Sequence, residues 1–148
     1  MPRRVIKVVV VLPKVSKKIL FQLRDQKKDI SFPGHWGFFG GAIEKNETPE
    51  TAVKREIKEE LGFAPNNLKY HGIGYPFKHL KTYIFSFKLA KPLSKIKLHE
   101  GMDFALICLE DLKQKKFYSE IKGKMFNIIP LPFIENTTRM VLKSRRDI

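Results

Sequence analysis

Apolar positions along this chain recur at two periods, two residues and about three and a half. Val5 to Leu12 is β-branched and nearly continuous, the pattern of a strand buried on both faces, and Pro13 is expected to end it. Lys18 to Arg24 alternates less cleanly and reads as a second strand after a Lys-rich turn. Asp25 to Gly34 is a polar loop punctuated by Pro33-Gly34, and Trp36 to Phe39 is a short aromatic strand that feeds Gly40-Gly41. Lys69 to Pro76 and Lys81 to Ala90 read as strands paired around Phe77 to Leu80. In the second of them Tyr83, Phe85 and Phe87 alternate with Thr82, Ile84 and Ser86, which gives one aromatic face. Phe104 to Leu109 is another apolar strand, and Glu110-Asp111-Leu112 starts a short helix. Pro92 to Leu98 reads as a basic linker, and Lys113 to Lys124 as loop or weak helix. Pro130 and Pro132 interrupt the chain, after which Asn136 or Thr137 caps a last helix to about Ser144. Arg145 to Ile148 is expected to fray. Strands on both sides of a central helix, with a helix at the end, predict an α/β fold in which a mixed sheet is covered on both faces.

The clearest helix follows the double glycine. Thr48 is a suitable N-cap, Pro49 sits where no N–H is needed, and Gly62 is the expected stop. At 100° per residue, Val53, Ile57 and Leu61 form an apolar stripe, with Glu56, Glu59, Glu60 and small Ala52 beside it. Thr51, Lys54 and Lys58 point to solvent. Glu56 and Glu60 are like charges at i,i+4, which costs an isolated helix about 0.2–0.5 kcal/mol. A solvated face would interleave Lys with Glu, as Glu50 and Lys54 do. Three carboxylates beside a core stripe suit a hard divalent cation, which takes oxygen ligands, waters and substrate phosphates; for the helix alone an ordinary charged surface is the equal alternative.

The spacing sharpens this reading. Gly41 is followed after five residues by Glu47, then after seven by Arg55-Glu56-Ile57, then by Glu59-Glu60 and Gly62-Phe63. This order resembles the Nudix box over residues 41–63, with a looser likeness in Trp36-Gly-Phe-Phe-Gly-Gly and much of the chain order. Phe39 departs from the proline that many relatives carry before the double glycine; it is expected to alter turn stiffness or the pocket wall. The resemblance implies a Nudix-like α/β/α sandwich with a mixed β-sheet, a single domain over residues 1–148. It implies hydrolysis of a phosphoanhydride bond in a nucleoside diphosphate linked to another group, of the nucleoside triphosphate, ADP-ribose or nucleotide sugar type. Water attacks phosphorus, with Mg²⁺ (or Mn²⁺) as cofactor.

Carried over by position, Glu56, Glu59, Glu60 and the Gly40 carbonyl resemble the family's metal ligands. Glu47 and Arg55 are expected to pair and fix the loop against the helix, with Glu44 as an outer acid. The general base is Glu56 or, on a loop before a late strand, Glu100, with Asp103 in reserve. Arg24 is a candidate for a phosphate; its alternative is an ordinary strand end. Phe38 and Tyr75, with Trp36 and Phe77, are candidates for stacking on a base, and core packing is the competing role for each. His35, His71, His79 and His99 have no metal-ligand spacing.

Composition limits the alternatives. The 148 residues are enough for one domain with a core, and 43 % hydrophobic content is ordinary. No apolar run reaches the ~18 residues of a membrane helix. No secretory leader pattern is visible, so Asn136-Thr137-Thr138 is read as a chance glycosylation match. Cys108 is the single cysteine, inside an apolar run, and reads as a core residue. A cytoplasmic setting and no membrane partner are expected; the oligomeric state is open, a homodimer included. Net charge is +14, and six of the fifteen acids lie between Glu44 and Glu60. Such a field attracts polyanions. RNA is the lesser expectation, because Arg3, Arg4, Lys17, Lys18, Lys113, Lys115, Lys116, Lys122, Lys124, Arg145 and Arg146 are spread over several elements. The alternatives are an RNA 5′-end pyrophosphohydrolase or a non-catalytic nucleotide sensor. The complete set of box acids favours catalysis, and no Gly-Lys-Ser/Thr follows Gly40-Gly41 to make a P-loop.

Overall fold

The computed structural model describes residues 4–144; the expected tail at 145–148 lies outside them. Strand β1 (Ile6–Val15) is the spine of a seven-stranded mixed sheet. Along one edge it pairs in parallel with β6 (Leu80–Lys88), from Ile6↔Leu80 to Lys14↔Lys88. Strand β5 (Lys69–Gly74) lies antiparallel beyond β6. Along its other edge β1 changes partner. Val8 to Val11 pair with β4 (Phe39–Ala42), whereas Lys14 and Val15 pair with β2 (Lys18–Leu23). Strand β2 then continues away, pairing with β3 (Trp36–Gly37) and β7 (Asp103–Ile107). The sheet is therefore split between β4 and β2.

That split explains why Pro13 does not end β1 as expected. It falls between the β4 and β2 partners, where no strand on that edge requires its missing N–H. Burial on both faces holds for the middle of β1; Ile6 and Lys7 are exposed.

Helix α1 (Pro49–Leu61) covers one face. Thr48 Oγ1 accepts the Thr51 N–H, and Gly62 closes the helix at φ +81°. Its Ala52, Val53, Ile57 and Leu61 pack with Val9, Val11, Leu20, Phe39, Phe85 and Phe87. Phe39 is thus core under α1, not a pocket wall. On the other face Leu12, Phe21, Leu23, Trp36, Phe38 and Ile84 pack with residues of α2 (Leu109–Lys113) and α3 (Pro132–Lys143). The two apolar layers make the expected α/β/α sandwich.

Three local expectations are corrected. Lys113 to Lys124 is neither loop nor weak helix: after α2 it forms a separate hairpin, β8 (Lys116–Ser119) with β9 (Lys124–Asn127). Helix α3 starts at Pro132, a residue that fits the first turn, so Asn136 and Thr137 lie inside it and do not cap it. Cys108 is half-buried and caps α2, its backbone N–H and Sγ both donating to Asp111 Oδ2.

Candidate active site

Glycine places the acidic helix against the split. A Cβ on Gly40 would lie 2.1 Å from the Val9 carbonyl oxygen, and one on Gly41 would lie 2.2 Å from Glu56 Oε1. Only glycines let β4 pass between β1 and the Glu56 carboxylate. Arg55, the residue before it, is the hub of the loop. Its Nε and Nη2 reach Glu47 at 2.8 and 2.9 Å, a bidentate pair, and Nη2 also donates to the Ala42 carbonyl. Nη1 donates to Glu56 and, at 3.3 Å, to Glu59, with Glu44 at 3.7 Å. Arg55 is held in its charged form first by the Glu47 hydrogen bond. The Glu47 carboxyl is lowered to about 2, first by Arg55 and then by the Glu44 N–H.

Behind this hub the acids become buried. Glu56 is 8 % exposed and Glu60 is 1 % exposed, whereas Glu59 stays on the surface. Glu60 Oε2 has no hydrogen-bond partner. Burial pushes the Glu60 carboxyl well above the ordinary range, and the neighbouring Glu56 and Glu100 push it further, against the Gly40 N–H. Glu100 reaches this group from a distant loop. The His99 N–H donates to the Glu60 carbonyl at 3.2 Å, the Gln22 side chain donates to the Glu100 carbonyl at 3.1 Å, and the Met102 N–H donates to the Leu23 carbonyl. Beside Glu100 opens a polar cavity of about 400 Å³, lined by Gln22, Arg24, Asp25, Lys27, His99 and Gly101 among others. Arg24 is anchored by Nε on the Ser31 carbonyl, and its charged form, disfavoured by burial, is favoured by Glu60 and Asp25.

The remaining candidates separate. Asp103, the reserve base, is 5 % exposed and is consumed structurally. Its carboxylate accepts from Ser119 Oγ and the Phe104 N–H at 2.7 Å, and from the Ile121 N–H at 3.4 Å. Trp36 is fully buried, donating to the Phe117 carbonyl. Phe38 also offers no open face: it is 7 % exposed and packs edge-on against Phe133, 6.1 Å away. Tyr75 is 55 % exposed and lines a second cavity of about 400 Å³ with Ile73, Phe133, Asn136 and Met140 among its other walls. Sequence reasoning missed Gln22, His99, Phe133 and Asn136 in these roles. Gln22 meets the Glu100 loop only through the pairing of β2 with β7, and His99 meets Glu60 only where that loop folds back on the end of α1.

The donor set fits a hard divalent cation. It offers carboxylate oxygens, one of them buried without a partner, beside a turn cleared of Cβ atoms. Among the described residues no three acidic, histidine or cysteine side chains already converge; Arg55 Nη1 donates to both Glu56 and Glu59.

The fold sets buried acids and an arginine around a glycine turn, at the split of a mixed sheet between two helical layers. The NUDIX domain model matches residues 1–127, and the chain belongs to the Nudix hydrolases. It is similar to the 8-oxo-dGTP diphosphatase of Buchnera aphidicola subsp. Schizaphis graminum, 30 % identical over 113 residues, 76 % of this chain and 83 % of that one. Among solved structures, a NUDIX hydrolase from Nitrosomonas europaea superposes with a TM-score of 0.65 at 17 % identity, covering 98 % of this chain and 74 % of that one. The NUDIX domain of Shewanella oneidensis NrtR, solved with ADP ribose, gives 0.64 at 17 % identity, covering 95 % and 90 %. The chain is a Nudix-type pyrophosphohydrolase acting on nucleoside diphosphate derivatives.

Proposed function

We propose that this domain, taken over residues 1–148, hydrolyses a nucleoside triphosphate with Mg²⁺ or Mn²⁺. The observation that carries this reading is the Glu60 carboxyl, buried beside Glu56 with one oxygen unpartnered, within the electrostatic reach of Glu100 and Arg24, which line one polar cavity. Glu56, Glu59, Glu60 and the Gly40 carbonyl would hold the cation. When bound, it supplies charge neutralisation at the diphosphate oxygens and a lowered pKa for water. Arg24, anchored through Nε, presents its terminal nitrogens to a phosphate. Glu100 accepts the proton of the attacking water, because Glu56 is engaged by Arg55. Glu47 and Arg55 fix the loop.

The base would enter the cavity under Tyr75, whose exposed ring offers a stacking face while the Asn136 amide offers directional hydrogen bonds. Phe38 supports Phe133 from below. The Buchnera relative's name supports a purine nucleoside triphosphate, and the ADP-ribose-bound neighbour supports a nucleoside diphosphate ligand more broadly.

The test is a hydrolysis screen with Mg²⁺ or Mn²⁺ over nucleoside triphosphates, 8-oxo-dGTP, ADP-ribose, nucleotide sugars and dinucleoside polyphosphates. Turnover of triphosphates to the monophosphate and pyrophosphate is expected, lost with EDTA. Preferential cleavage of ADP-ribose would move the substrate to that subclass. Binding without turnover of any compound would leave the sensor reading.

A further inference from the structure

We propose that the outer face of the β8–β9 hairpin is a docking surface for single-stranded nucleic acid. Over the whole chain the basic residues are spread across several elements, but one short stretch is dense in lysine. Within twelve residues Lys113, Lys115, Lys116, Lys122 and Lys124 lie on this hairpin and its approach, with Glu120 the only acid between Lys113 and Lys124; Lys116 belongs to the outer face, Lys122 to the turn, and Lys124 to the inward face. Cross-strand partners share a face and successive pairs alternate. Phe117 and Phe126 face inward, Phe117 against Trp36. The next pair, Tyr118 and Met125, faces out, 44 % and 48 % exposed, and Lys116 and Asn127 share that face. Ile121, in the turn, is 66 % exposed. Lys115, Lys116 and Lys122 pair with no carboxylate among the described residues; Lys113 reaches only exposed Glu110, and Lys124 lies over Phe126.

An exposed aromatic and two aliphatics between unpaired ammonium groups match a polyanion that also carries flat apolar rings. A bilayer fits less well. Lys122 follows Ile121 at the tip, so inserting the apolar residues would carry an ammonium group to the deepest point. The platform is held in place. Ser119 and Ile121 are tied to Asp103 of β7, three residues beyond Glu100, and Trp36 bonds the Phe117 carbonyl. The docking surface is thus joined to the strand that follows the Glu100 loop, and it does not depend on which substrate that loop serves.

The experiment measures anisotropy of a labelled single-stranded oligouridylate with a 5′-hydroxyl, about 12 nucleotides long, against salt. The wild-type chain should bind with a log–log salt slope near −2, from two or three contacts at about −0.7 each. The Lys116→Gln/Lys122→Gln variant should lose about 1.4 of that slope. Tyr118→Ala should weaken binding roughly 5- to 100-fold with the slope kept. Both variants should keep the wild-type melting temperature and rate on a free nucleoside triphosphate. An unchanged slope in the double variant overturns the proposal, as does equal binding of a duplex of the same length. Binding to phosphatidylserine vesicles that depends on Ile121, without binding to the oligonucleotide, would assign the face to a lipid surface and overturn it equally.

Discussion

At the scale of single residues, the most consequential pair is Arg55 with Glu47, because it joins the loop after Gly41 to the acidic helix. Both ends of the guanidinium fork are used, and the Glu47 carboxyl is lowered to about 2 in the fold. A carboxyl more acidic folded than unfolded contributes stability above its unfolded value of about 4.3. That contribution is lost as pH falls through that range to about 2. The wild type should therefore lose urea resistance on this acid limb. Glu47→Gln should be less stable at neutral pH and should lose less between pH 6 and about 2. Denaturation midpoints over that range check it, and parallel curves for the two proteins would refute it. Turnover should fall as well, since Arg55 would then be free to sit more fully on Glu56 and Glu59.

At the scale of elements, the loop carrying Glu100 is held from both sides, by the end of α1 through His99 and by β2 through Gln22 and Leu23. Gln22 is 7 % exposed, and its amide is the side-chain anchor of that loop. Gln22→Leu should lower kcat about tenfold, the cost of removing roughly 1.4 kcal/mol of positioning, with KM little changed. Combined with Glu100→Gln it should cost no more than Glu100→Gln alone, which a double-mutant cycle reads directly. Additive losses would mean that Gln22 acts elsewhere. The contrast between α1 and this loop also marks what the sequence could disclose. Helix α1 carries its own cap, stop and 3.6-residue stripe, so its limits are visible locally. The β8–β9 hairpin is hidden because its strands are four residues long and its outward positions mix Lys with Tyr and Met. Asn136 looked like a cap because Pro132 read as a breaker, when it is a first-turn residue. Gln22 and Glu100 are 78 positions apart, and no local pattern joins residues that only sheet pairing brings together.

At the scale of the whole molecule, Glu60 links the site to the stability of the domain. Its carboxyl is almost fully buried beside Glu56 and near Glu100, with one oxygen unpartnered. A charge in that position is unfavourable unless something balances it. Folding of the metal-free chain therefore carries a cost that a cation at the proposed site would remove, and ligand binding to the folded state alone adds RT ln(1 + [L]/Kd), about 2.7 kcal/mol at one hundred times Kd. The wild-type melting temperature should rise saturably with Mg²⁺ and fall back with EDTA. Glu60→Gln keeps the side chain's size but removes the charge. In EDTA it should melt at or above the wild type, gain little from Mg²⁺, and lose turnover together with metal affinity. Glu59→Gln, on the exposed side of the helix, should weaken the Mg²⁺ response without raising the metal-free melting temperature. If Glu60→Gln melts well below the wild type in EDTA, the buried carboxylate is a structural hydrogen-bonding group and the cation lies elsewhere on the helix.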